Sequence, residues 1–303
     1  MIKFESLKME QRQQLLPYLQ EGCHRGCEYS FVNLYLWGRQ KAAVVEDQLV
    51  VFSQFNRRSL YLYPAGTGDR KAALETIIRD AQLRGIPCRL TGMSQEDCQE
   101  LEQLYPGKFQ FHTDRDSYDY IYAAEDLALL KGRRFQRKRN HVNRFYQTHT
   151  QWECLPITPE TADRVTAMVK LWYDLRQQED PLMDYTMERA AIFKALDNLE
   201  ALGLEGLMLL DEGQVVAMTL GSRLCQNTFD IHFEKALSRE DSAYAVINQR
   251  FAQYLIEKYP EVRWLNREDD MGIPGLRKAK ESYCPDHMIE KYWAHLQEDG
   301  YDY

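Results

Sequence analysis

The order of strand and helix patterns constrains this chain more than any other feature, because the same order is read twice. The first pass opens with a strand at Ile2-Lys3-Phe4 and an amphipathic helix over 9–19. A helical spacing over 29–38 carries Phe31, Leu34, Tyr35 and Trp37 and stops at Gly38. Residues 42–55 alternate as two strands around Glu46-Asp47, a hairpin signal, and Leu60-Tyr61-Leu62-Tyr63 is a third strand. A helix over 69–84 stops at Gly85, and a strand at Cys88-Arg89-Leu90, a helix over 95–104 and two strands over 109–122 follow. One helical segment is predicted over 127–148. The second pass has helices over 161–177 and 187–202, a hairpin around Asp211-Glu212-Gly213 and a strand over 229–233. It closes with a helix over 243–259, a strand over 262–265, a helix from Leu276 and a last strand over 288–293. Such an order predicts an α+β protein of two tandem domains, each a mixed sheet flanked by helices. The boundary falls at the joining segment, giving domains over 1–128 and 129–303.

Composition narrows the class. At 303 residues and 44% hydrophobic, the chain can fill two cores. No apolar run approaches the ~20 residues that span a bilayer, and Met1-Ile2-Lys3-Phe4-Glu5-Ser6 lacks a signal-peptide pattern. A cytoplasmic protein is expected. Seven cysteines, an odd and scattered set, do not make a disulfide framework. Cys23-His24-Arg25-Gly26-Cys27 has the look of half a zinc site, but no second Cys/His pair completes it, so no metal is expected. The net charge of -8 argues against broad binding of nucleic acid while leaving room for a local basic patch. There is no P-loop, dinucleotide fingerprint, Gly-x-Ser-x-Gly elbow or HExxH motif.

Three stretches remain as carriers of chemistry. Residues 131–146 hold no acidic side chain, and at 100° per residue Arg133, Arg137, Asn140 and Arg144 fall on one helix face, with Phe135, Val142 and Tyr146 near the other. A row of guanidiniums suits bidentate contact with phosphate; a row paired to carboxylates elsewhere is the competing reading. In Phe229-Asp230-Ile231-His232-Phe233-Glu234, period two puts Asp230, His232 and Glu234 on one strand face. Three ionisable groups together line a cleft or a wet face, and a histidine beside carboxylates can accept a proton from an amine. Finally, Trp264-Leu265-Asn266-Arg267-Glu268-Asp269-Asp270 ends a strand in a burst of mixed charge before two glycines and a proline.

The basic helix at 131–145, the strand and helix from His232 to Tyr254, and Trp264 to Pro285 carry a resemblance. So does Ser30-Phe31-x-Asn33-Leu34-Tyr35-x-Trp37. Together they resemble the bacterial family named after the C-terminal domain of phosphatidylglycerol lysyltransferase. That family looks like a tandem of acyl-CoA N-acyltransferase (GNAT) folds and is similar in plan to the Fem peptidyltransferases. The resemblance implies an acyltransferase moving an aminoacyl group from aminoacyl-tRNA to an amine or hydroxyl. The alternatives are a coenzyme A-dependent N-acyltransferase and a non-catalytic binding module that kept the fold. For such chemistry the residue patterns above offer Arg133, Arg137 and Arg144 for donor phosphates and His232 or Glu234 for the acceptor proton. Asn266, Arg267 and Asp269 would line the acceptor pocket, with Arg277 and Lys280 neutralising charge. The acceptor would be a small molecule, peptide or lipid. Lipid is set back because these residues hold no membrane-embedded part like that of the lipid-modifying relatives. Coenzyme A is disfavoured because the turn Leu237-Ser238-Arg239-Glu240-Asp241-Ser242-Ala243 has two carboxylates and no glycine to bring amides against a pyrophosphate.

Overall fold

A computed structural model describes residues 1–20, 26–38, 40–55, 58–237 and 242–297. The half zinc site at 23–25 and the turn at 238–241 lie outside them. In chain order the strands are β1 (Glu5–Ser6), β2 (Gln40–Val45), β3 (Gln48–Phe55), β4 (Arg58–Leu62), β5 (Arg89–Met93), β6 (Phe109–Thr113), β7 (Asp119–Ala123), β8 (Trp152–Pro156), β9 (Leu204–Asp211), β10 (Gln214–Cys225), β11 (Thr228–Ala236), β12 (Trp264–Asn266), β13 (His287–Ile289) and β14 (Tyr292–Leu296). The helices are α1 (Arg12–Leu19), α2 (Phe31–Leu36), α3 (Arg70–Arg84), α4 (Gln95–Leu104), α5 (Ala124–Leu129), α6 (Gln136–Thr148), α7 (Ala162–Glu179), α8 (Thr186–Leu196), α9 (Leu199–Leu202), α10 (Ser242–Lys258) and α11 (Pro274–Glu281).

Two seven-stranded mixed sheets result, each with helices against it. The first runs β1-β2-β3-β4-β5-β14-β6, with β4 and β5 parallel and its other neighbours antiparallel. The second runs β13-β7-β12-β11-β10-β9-β8, with β11 and β12 parallel. The α+β class expected from element order is what the chain adopts. The boundary after residue 128 is not where the contacts divide. One unit comprises Met1–Asp119, Asp269–Ile273 and Met288–Tyr303, the other Tyr120–Glu268 and Pro274–His287. The reason is strand exchange: β7 joins the second sheet, and β14 slots between β5 and β6 of the first.

Local signals explain most elements. Glu46 and Asp47 both take positive φ (51° and 54°), the conformation a two-residue hairpin needs. Asp69 caps α3 by accepting from the Ala72 N–H, and Gly85 ends it at φ 64°. The single helix predicted over 127–148 is broken instead. Leu130 turns left-handed at φ 49°, Gly132 follows at φ 84°, and a 3-10 turn at Arg133–Phe135 feeds α6. In the first sheet one core gathers Val50, Phe52, Tyr61, Leu74, Ile77, Leu90, Leu101 and Phe109, with Ala294 of β14 among them.

Asp80 ties this core to the N-terminal segment. Its buried carboxylate accepts from the Ile2 N–H (2.6 Å), the Tyr61 hydroxyl (2.8 Å) and Arg84 Nε (2.6 Å). Burial alone would raise its pKa; the bonds from Arg84, Ile2 and Tyr61 outweigh burial and hold it below the ordinary carboxylate value. A depressed folded pKa gives stability that is complete at neutral pH and lost as pH falls through that value. Asp80→Asn should therefore cost about 2 kcal/mol at neutral pH, and the gap to wild type should close in acid. Urea melts followed from neutral pH into acid check this, and a gap independent of pH would contradict it.

Candidate functional site

In the second unit β11 lies between β10, antiparallel, and β12, parallel with Asp230 opposite Asn266. The ladder with β10 slips: Leu220 faces Phe233 while Gly221 faces Ile231, so His232 is an extra residue. Gly221 permits the close approach, since a Cβ there would lie 2.5 Å from the Asp230 carbonyl oxygen.

The bulge corrects the strand face read from period two. Phe229 packs its ring against Phe251 of α10, whereas Lys235, also odd-numbered, reaches Glu188 of α8 and lies over Trp172 of α7. Glu234 instead accepts from Asn248 of α10 at 3.1 Å. Asp230 and His232 therefore stay together, and Glu234 is turned to the other side. Its second oxygen accepts from Arg267 Nη2 at 2.9 Å.

Around His232 the distances are short. Nε2 is hydrogen-bonded to the Ser222 hydroxyl at 2.8 Å. Nδ1 lies 3.3 Å from Glu268 Oε1 and 3.6 Å from Asp230 Oδ2. One ligand atom from each of Asp230, His232 and Glu268 falls within 4.8 Å of the others, a spacing that a divalent cation could also accept. In the first unit Cys27, Glu28 and Asp119 are grouped in the same way. There the Lys291 ammonium sits 2.6 Å from Asp119 and 2.7 Å from Glu28.

Asn266, Arg267 and Lys280 meet at the end of β12, where they hold the loop that follows. Asn266 is fully buried and accepts from the Glu268 N–H at 2.7 Å. Arg267 lies over the rings of Tyr283 (4.7 Å) and Tyr122 (5.5 Å). Burial works against its charge, yet Glu234 and the two phenols more than compensate, so its pKa is raised. The buried Lys280 ammonium donates to the backbone carbonyls of Arg267 and Glu268. That makes Lys280 a clasp for the loop rather than a charge offered to a ligand. Asp269, expected beside them, is grouped with the first unit. Arg277 sits half-buried on α11.

The basic segment divides by role. Of the inner face expected, Phe135 and Val142 are buried and Tyr146 is half-buried, while Phe145, not expected there, is buried; Arg133, Arg137, Asn140 and Arg144 are exposed. Three of its other cations are engaged. Arg134 pairs with Asp126 at 2.5 Å, Arg139 donates to the carbonyls of Leu130 and Gly132, and Lys138 lies over the Tyr283 ring at 3.5 Å. Arg133 and Arg137 make no ion pair among the described residues.

Sequence reasoning missed Ser222 and Glu268 as members of this site. Glu268 was visible inside the charged burst, but nothing local marks its left-handed backbone. Ser222 reaches His232 through a cross-strand register, which a single sequence does not reveal.

Comparison with known proteins fits this architecture. A protein of unknown function from Bacteroides thetaiotaomicron is 39% identical, with a TM-score of 0.92 over 98% of this chain and 100% of that one. The structure of L-PGS from Bacillus licheniformis is 15% identical, with a TM-score of 0.70 over 98% of this chain and 94% of that one, and so shares the fold. An uncharacterised protein of Mycoplasmoides gallisepticum is 26% identical over 185 residues, 58% of this chain, and the chain spans 55% of that relative's length. Residues 22–295 match the family described as phosphatidylglycerol lysyltransferase, C-terminal, and the chain belongs to that family.

Proposed function

We propose that the protein is an acyltransferase that moves an aminoacyl group from aminoacyl-tRNA, or a similar phosphate-bearing donor, to an amine or hydroxyl. Membership of a family that carries a lysyltransferase's name supports acyl transfer. The observation that carries the donor reading is the row of exposed guanidiniums on and before α6. In a chain of net charge -8, Arg133 and Arg137 point to solvent without carboxylate partners among the described residues, and Arg144 is exposed on the same face. Guanidiniums gathered on one exposed face suit contact with phosphate oxygens.

Acyl transfer asks for a positioned donor, a proton acceptor and an environment that tolerates a carbonyl oxyanion. Of the two acid–base candidates, His232 keeps the stronger support. Glu234 is occupied by Arg267 and Asn248. Arg267 and Lys280 fix the loop that follows β12, and Asp269 and Arg277 remain candidates for contact with the acceptor.

The test is transfer of a labelled aminoacyl group from tRNA, combined with binding measured across a salt series. An Arg133→Ala, Arg137→Ala double variant should bind tRNA about tenfold more weakly at low salt. The slope of log affinity against log salt should fall by about 1–2. No binding by the wild type at low salt, or an unchanged slope in the double variant, would end this reading.

A further inference from the structure

The geometry points to a nucleotide-binding platform on the first sheet, where the Trp293 indole, braced by His112, stacks on a flat base and Arg89 meets the phosphate beside it. The site stands apart from the acyl-transfer reading, because every residue in it belongs to the first unit.

Strand alternation builds the platform. In β14, Tyr292, Ala294 and Leu296 turn to the core, as do Leu90 of β5 and Phe109 and Phe111 of β6. Arg89, Gln110, His112, Trp293 and His295 alternate with them and stand on the opposite face. Register sets them in two rows: Arg89 and Gln110 both lie opposite His295, and His112 lies opposite Trp293. Helix α4 covers the core side through Leu101. On the other side Trp293 is 36% exposed and Gln110 is exposed.

The rings lie flat on one another. His112 stacks on Trp293 with centroids 4.1 Å apart and planes 17° apart, and His295 lies 5.2 Å from His112 at 14°. Holding an imidazole there costs free energy, since His112 Nε2 is buried with no hydrogen-bond partner. An aliphatic side chain would fill the space against the indole without that cost. What the imidazole adds is a second flat π surface that keeps the indole parallel to it. Aromatic rings standing on a sheet face are the kind of surface on which unpaired bases stack.

Charge selects the same ligand. None of the five side chains is acidic, in a chain of net charge -8. Arg89 makes no ion pair among the described residues, so its guanidinium can turn to a phosphate. Burial lowers the His295 pKa most, and the neighbours that lower it further are His112 and Arg89. His295 is therefore neutral at neutral pH and leaves Arg89 as the fixed positive charge of the face. A base alone would use the rings, a phosphate alone would use Arg89, and a nucleotide uses both. A free nucleotide and a single-stranded chain present that same unit.

The experiment is an NMR titration of the full chain with AMP, adenosine, ribose 5-phosphate and the single-stranded RNA hexa-adenylate. The proteins are wild type, Trp293→Leu, Trp293→Phe, Arg89→Ala and, as control, Arg79→Ala on α3, a helix that packs on the core side. AMP should give saturable ring-current shifts of the Trp293 indole and of the His112 and His295 imidazoles, and ribose 5-phosphate none. Trp293→Leu should bind AMP at least about tenfold more weakly, Trp293→Phe should recover part of the loss, and Arg79→Ala should match wild type. Arg89→Ala should weaken AMP about tenfold and leave adenosine unchanged, since only AMP carries the phosphate. Absence of AMP shifts in the wild type, equal AMP binding by Trp293→Leu, or an Arg89→Ala loss that is the same for adenosine would overturn the proposal. Tighter binding of hexa-adenylate than of AMP would identify a single-stranded chain as the source of the nucleotide, and equal affinity a free one. Failure of aminoacyl transfer from tRNA would remove the donor reading and leave this site standing.

Discussion

Lys291→Met should destabilise the protein by about 3–5 kcal/mol, the range for breaking a buried ion pair from one side. Lys291 is buried between Asp119, which is fully buried, and Glu28. Burial opposes its charge, but Asp119, Cys27 and Glu28 hold its pKa well above the ordinary lysine value. Glu28 shows the complement: burial raises its pKa, against the pull of Lys291, and Asp119 adds to the rise. Two carboxylates share one ammonium, and methionine would leave both facing each other in low dielectric. The pocket has no slack either, since a Cβ on Gly26 would lie 2.6 Å from Lys291 Cε. Denaturant melts check the loss. Adding Asp119→Asn to Lys291→Met should restore part of it, because the stranded charge is then gone. A Lys291→Met protein that melts like wild type would show that the cluster contributes nothing.

Arg267→Ala should cost about 3 kcal/mol or more by the same physics. The guanidinium is only 13% exposed and its partner Glu234 only 11%. Alanine would strand that carboxylate with Asn248 as its remaining partner and remove a planar cation from the rings of Tyr122 and Tyr283. Arg267→Lys should fall between, keeping charge but not the flat face. Urea melts separate a structural role from a substrate-binding one: a residue that serves substrate alone would leave stability untouched when truncated.

Much of the fold was legible because it is written locally. The Glu46-Asp47 turn, the α3 span from Asp69 to Gly85 and the arginine row of α6 each follow from a few adjacent residues. What was not legible depends on pairing across long sequence separations. The exchange of β7 and β14 between sheets is decided by which edge each strand meets, and neither strand's sequence encodes that. The bulge at His232 is similar: period two assigns Glu234 to the face of His232, and only the register against Leu220 and Gly221 reveals the extra residue. Lys280 read as a ligand-directed charge because sequence shows its sign but not the carbonyls it reaches.

The place of β14 has a consequence for synthesis. Until Tyr292–Leu296 has left the ribosome, β5 and β6 have an empty slot between them. The nascent chain must hold two unsatisfied strand edges open for the whole time the second sheet is being made. Such edges invite pairing with other chains, so the growing polypeptide should bind holding chaperones from early in translation and release them only when the final strand docks.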